Sequence, residues 1–85
     1  MRVVMVTKSG TDYTRDVDTY LADFQRVTGR EIEVLDPESP EGISFCESYD
    51  ILQSPTLIAL SVDGYEQNRW VGTPLPTINE VSYYS

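Results

Sequence analysis

Residues 2–7, Arg-Val-Val-Met-Val-Thr, form a short and nearly continuous apolar run rich in β-branched side chains, the pattern of a strand covered on both faces. Lys8, Ser9 and Gly10 break the run. From Thr11 onward the apolar residues Tyr13, Val17, Tyr20, Leu21, Phe24 and Val27 recur at spacings of three and four. That spacing predicts an amphipathic helix of about four turns, with Arg15, Asp16, Asp18, Asp23 and Arg26 on its solvent face. Thr11 or Asp12 is the expected cap, and Gly29 stands where a left-handed helix end favours glycine.

Residues 31–35 alternate charged and apolar side chains before Asp36-Pro37, as a strand closed by a turn does. A strand-helix-strand unit of this kind crosses over right-handed and lays its strands parallel. Residues 39–49 carry Pro40 near the front and Ile43, Phe45, Cys46 and Tyr49 as apolar positions, which predicts a shorter second helix. After Ser54-Pro55, residues 56–62 and 65–71 read as two strands around Asp63-Gly64, a tight hairpin signal that makes them antiparallel. Ile78, Val81 and Tyr84 share one side of a short terminal helix within residues 76–84. The order is β-α-β-α-β-β-α, an α/β chain read as one domain over residues 1–85, a length that supports a single core.

Composition removes most chemistry. The chain carries 14 Asp and Glu against six Lys and Arg, a formal charge of −8, which repels nucleic acid backbones and anionic lipid surfaces. No histidine is present, so the usual general base and the commonest metal ligand are missing. A single cysteine, Cys46, excludes a dithiol centre within one chain and a cysteine-rich zinc site. No apolar run approaches the ~20 residues of a bilayer span, and the first residues turn polar too soon for a signal peptide. The expectations are a cytoplasmic protein with no metal, cofactor, nucleic acid or membrane partner.

Three stretches carry a family resemblance. Residues 7–17, Thr-Lys-Ser-Gly-Thr-Asp-Tyr-Thr-Arg-Asp-Val, resemble the glutaredoxin active-site segment T-K-x-x-C-P-Y-C-x-x-V, with Thr11 and Thr14 at both cysteine positions. Residues 49–57, Tyr-Asp-Ile-Leu-Gln-Ser-Pro-Thr-Leu, are similar to the thioredoxin-family Y-x-I-x-x-x-P-T-L, whose proline is cis. Gly72, in Arg69-Trp70-Val71-Gly72-Thr73-Pro74, stands where glutaredoxin-like electron donors carry a glycine turn. The resemblance implies a thioredoxin-like fold, with a mixed four-stranded sheet and helices on both faces. It also implies a cis bond at Ser54-Pro55, with Ser54 offering backbone groups to an extended peptide or glutathione in a small case of strand addition.

Thiol exchange needs a thiolate at a helix N-terminus. A threonine hydroxyl at Thr11 has no base to activate it, Thr14 is equally inert, and Asp12 adds a charge of the wrong sign for a thiolate though a good one for a helix first turn. Lys8 matches a family lysine that contacts glutathione's carboxylate; the plainer alternative is a solvated loop lysine. Tyr13 is read as an aromatic surface beside Pro55, or as packing against Val17. Cys46 is read as a small buried hydrophobe, and Asp36, Glu38 and Glu41 as a solvated acidic turn without calcium-loop spacing. The six tyrosines, Tyr83 and Tyr84 among them, suggest an adhesive surface or core and edge packing.

These readings converge on a redox-inactive, glutaredoxin-like binding or scaffold module. Its degenerate motif is Thr11, Asp12, Tyr13 and Thr14, and its groove adds Lys8, Ser54, Pro55, Thr56 and Gly72, with a protein, extended peptide or glutathione as partner. The alternatives are a diverged thiol-disulfide oxidoreductase or glutathione-binding protein of redox homeostasis working through Cys46 or a partner's cysteines, and a structural piece of a larger assembly. Oligomeric state is open.

Overall fold

The computed structural model describes residues 2–84. Its elements are β1 (Arg2–Val6), α1 (Thr14–Thr28), β2 (Glu33–Leu35), α2 (Pro40–Tyr49), β3 (Thr56–Leu60), β4 (Glu66–Val71) and α3 (Ile78–Ser82). The strands form one mixed sheet in the order β2-β1-β3-β4. β1 lies parallel to β2, with Val4 opposite Glu33, and antiparallel to β3, with Val4 opposite Ile58; β3 and β4 pair antiparallel through Leu57 and Trp70.

The two faces of the sheet bury different residues because strand side chains alternate. Val3 and Met5 join Leu57 and Ala59 against Val17 and Phe24 of α1 and Val81 of α3. Val4 and Val6 join Ile58 and Leu60 on the other face, where Phe45, Cys46 and Tyr49 of α2 pack. The apolar runs of β1 and β3 are thus those of strands covered on both sides, and Val4, Met5, Val6 and all of Leu57 to Leu60 are fully buried.

Local chemistry accounts for most element ends. Ser39 caps α2 by accepting from the Gly42 amide at 3.0 Å, with Pro40 in the first turn. Thr77 caps α3 through the Glu80 amide at 3.2 Å. Gly29 ends α1 at φ 72°, donating to the Gln25 carbonyl. Asp50 ends α2 in the same left-handed region at φ 57°, and Arg69 reaches across from β4 to donate to the Tyr49 and Asp50 carbonyls. The β3–β4 turn puts Gly64 at φ 88°, with the Tyr49 hydroxyl donating to its carbonyl at 2.7 Å.

Several sequence-based expectations need correction. α1 begins at Thr14 rather than Thr11, and neither Thr11 nor Asp12 caps it; Tyr13 holds the cap position without a side-chain capping bond. Gly10 at φ 74° turns the chain ahead of the helix, and the Thr11 carbonyl accepts from the Thr14 amide at 3.2 Å in a separate turn. Asp12 therefore precedes the helix, and Asp16 is the acidic residue of its first turn. Val27, assigned to the apolar face, is 57% exposed in the last turn of α1. Ile43 of α2 is also exposed. The strands are shorter than the apolar runs: β2 starts at Glu33, β3 ends at Leu60 and β4 starts at Glu66.

Candidate functional site

The turn between β1 and α1 gathers most of the residues singled out above. Thr11 and Thr14 face each other with hydroxyl oxygens 3.1 Å apart. The Thr11 amide donates to Thr14 Oγ1 at 2.9 Å, and the Thr14 hydroxyl donates a longer bond to the Lys8 carbonyl at 3.4 Å. A hydroxyl has one hydrogen, so with that of Thr14 directed at Lys8, Thr11 is the donor in the Thr11–Thr14 bond. Both hydroxyl hydrogens are therefore directed within the turn.

Tyr13 connects this turn to the segment before β3. Its phenol oxygen shares a 2.7 Å hydrogen bond with Ser54 Oγ and accepts a longer one from the Lys8 amide at 3.4 Å. Burial pushes the Tyr13 phenol up, but the bonds from Ser54 and the Lys8 backbone hold it below the ordinary tyrosine value. The ring also packs against the α1 side of the core, so neither reading of Tyr13 describes it fully: it is half-buried and bridging.

The Ser54–Pro55 bond is cis, and so is Thr73–Pro74, at which the sequence reading placed no special conformation. The Gly72 amide donates to the Pro55 carbonyl at 2.8 Å, and Gly72 itself has φ 76°, a conformation glycine adopts without penalty. Thr56 is buried, and its hydroxyl donates to the Gln53 carbonyl at 2.8 Å. It fixes the turn into β3 rather than presenting a hydroxyl outward. Asp12 is exposed.

Lys8 pairs with a carboxylate of this chain. Its ammonium lies 2.9 Å from Glu38 Oε1, and the bond to Glu38 holds it above the ordinary lysine value. Glu38 belongs to the acidic turn, where its amide donates to Asp36 Oδ1 at 2.8 Å. A cleft of about 320 Å³ opens on this side of the turn, with Lys8, Thr14, Val17, Leu21 and Val34 among its walls. Ser54, Pro55, Thr56 and Gly72 do not line it, so Tyr13 is the direct link between the two halves of the site.

Two participants escaped the sequence reading. Glu38 contacts Lys8 across thirty positions of chain, a pairing that no local pattern encodes. Leu52, two residues before Ser54, is 90% exposed; its only signal was an apolar residue in a turn. Cys46 sits on the opposite face of the sheet from α1, half-buried against Val4, Val6 and their neighbours, and burial pushes its thiol up. No group of three or more metal-capable side chains occurs among the described residues, and no described helix is long and apolar enough to cross a membrane.

Comparison with known proteins gives a fold and no closer kinship. No family model matches the chain, and no curated protein is significantly similar to it. Among solved structures, thioredoxin 1 from the thermophilic eubacterium Thermosipho africanus superposes with a TM-score of 0.69 over 99% of this chain and 89% of that one, at 19% sequence identity. Together with the mixed four-stranded sheet and three helices, this makes the chain a thioredoxin-like α/β fold.

Proposed function

We propose that this protein is a redox-inactive binding module, glutaredoxin-like in its site, that uses the groove beside Ser54–Pro55 to hold an extended peptide or a small peptide-like thiol such as glutathione. The observation that carries the reading is the Thr11–Thr14 pair. Two hydroxyls 3.1 Å apart, one in the turn before α1 and one on its first residue, both direct their hydrogens within that junction. Threonine without a base offers neither a thiolate nor an activated alkoxide. Binding draws support from exposed Leu52 beside the same segment, an apolar landing point next to a backbone that could pair with an extended peptide as in strand addition.

The oxidoreductase alternative through Cys46 receives no comparable support. Reactive thiols are exposed and electropositive, with depressed pKa values, whereas Cys46 is half-buried and its thiol is pushed up.

Reduction of insulin and of a mixed glutathione disulfide by the purified protein tests the inactive half of the proposal. Wild type and Cys46→Ser are expected to give the same background rate. Turnover that disappears in Cys46→Ser would overturn it.

A further inference from the structure

The C-terminal aromatic corner takes no part in the groove. Trp70 of β4 and Tyr84 meet edge to face, with centroids 5.5 Å apart and planes at 71°; Tyr83 and Tyr84 do the same at 5.1 Å and 80°. These near-perpendicular rings wall a shallow cleft of about 430 Å³ that Asn68, Asn79 and Glu80 complete. Tyr84 is held in place by Asn68, whose Nδ2 donates to the Tyr84 hydroxyl oxygen at 3.3 Å. Tyr83 is 81% exposed, so its π face is open to a ligand.

The chemistry of these walls selects a charge. Aromatic faces carry the negative lobe of the ring quadrupole, Glu80 adds a carboxylate, and no Lys or Arg among the described residues borders the cleft. The −8 charge of the chain concentrates cations and repels anions at its surface. Rings set at steep angles with one acid at the rim suit a soft, weakly hydrated cation, which gains from the ring faces more than it loses in hydration. A compact, strongly hydrated ion lacks that advantage.

We propose that this corner, formed by Trp70, Tyr83, Tyr84 and Glu80, binds a quaternary or methylated ammonium group. The site is independent of the groove and of whatever the groove holds.

Trp70 is the only tryptophan of the chain, so its fluorescence reports on the site directly. The probes are choline and its neutral isostere 3,3-dimethylbutan-1-ol, titrated under identical salt, with amide NMR spectra to locate the contact. Choline is expected to shift Trp70 emission saturably and to move the amides of residues 79–84. The neutral isostere should bind roughly 2- to 30-fold more weakly, the factor that ~0.5–2 kcal/mol of cation–π attraction corresponds to. Tyr83→Ala should lose the response, Tyr83→Phe should keep it because the ring face remains, and Glu80→Gln should weaken choline and not the alcohol. Equal binding of the two probes, no saturable shift with choline, or an unchanged response in Tyr83→Ala would each overturn the proposal. Far-UV circular dichroism of every variant separates loss of the site from loss of fold.

Discussion

Gly42, in the first turn of α2, lies so close to the preceding acidic turn that replacing it with alanine sets two physical effects against each other. Helix propensity alone favours Gly42→Ala by about 1 kcal/mol. In the folded chain, an added Cβ would stand 1.8 Å from the Asp36 carbonyl oxygen, 2.7 Å from its carbon and 3.0 Å from Ser39 Oγ. The obstacle is backbone, so the Asp36 carbonyl must withdraw by roughly 1 Å or more, since contacts below about 3 Å are not sustained. That carbonyl accepts from the Ser39 amide at 3.0 Å and the Ser39 hydroxyl at 2.7 Å. Losing both costs about 2 kcal/mol, and disturbing the Ser39 cap costs about 1 more. Subtracting the propensity gain leaves a net destabilisation of about 2 kcal/mol, a fall in Tm of roughly 8–16 °C for a domain of this size. Urea unfolding followed by far-UV circular dichroism measures it. A variant as stable as wild type, or more so, would refute the packing argument. The Lys8–Glu38 contact gives a second readout, because the displaced turn carries Glu38.

Other predictions concern single groups. The Tyr20 hydroxyl is buried with no hydrogen-bond partner among the described residues, so Tyr20→Phe should leave thermal stability unchanged or raise it by up to about 1 kcal/mol; a larger loss would show that the hydroxyl is bonded. Burial, with the charge of Glu80, pushes the Tyr20 phenol up to about 12. The unfolded chain therefore loses this proton first as pH rises past the ordinary tyrosine value near 10, and stability should fall between about pH 10 and 12, less steeply in Tyr20→Phe. Arg2 donates to both oxygens of Glu33 at 2.9 and 2.8 Å and holds that carboxyl below the ordinary glutamate range. Its stabilising effect is present above the unfolded value and lost as pH falls through the lower folded one. Carboxyl NMR titration of wild type and Arg2→Gln should show the depression vanish, with only a few tenths of a kcal/mol at stake for so exposed a pair. Cys46 should react with a soluble aromatic disulfide more slowly in the folded protein than in urea; equal rates would mean an open thiol.

Element order was legible because each signal was local and redundant. The apolar runs of β1 and β3, the spacing from Val17 to Phe24, the Ser39-Pro40 start and the Asp63-Gly64 turn each point to one conformation. Errors arose where an apolar residue has nothing to cover it. Val27 and Ile43 fit helical periodicity, yet both are exposed. Val34 shares parity with buried Ile32 but lies on the short edge strand β2 and is half exposed. The start of α1 was misplaced because the Thr11 and Thr14 side chains bond to each other and to the turn, competing with a cap.

In the candidate site, the residue types could be read but not their wiring. Thr11, Tyr13, Thr14 and Ser54 were marked by their resemblance to a known pattern, whereas the bond from Tyr13 to Ser54 spans forty-one positions and depends on how α1 packs beside β3. Lys8 was the least legible, since its partner Glu38 lies in a turn that looked merely solvated.

An amide NMR titration of labelled protein with reduced glutathione and with peptides from cell extract tests the central claim most directly. Clustered shifts at residues 11–14, 54, 56 and 72, with no thiol consumed, are the predicted result. Shifts confined to other surfaces, or none with any ligand, would contradict the account by showing that the groove beside Ser54–Pro55 recognises nothing.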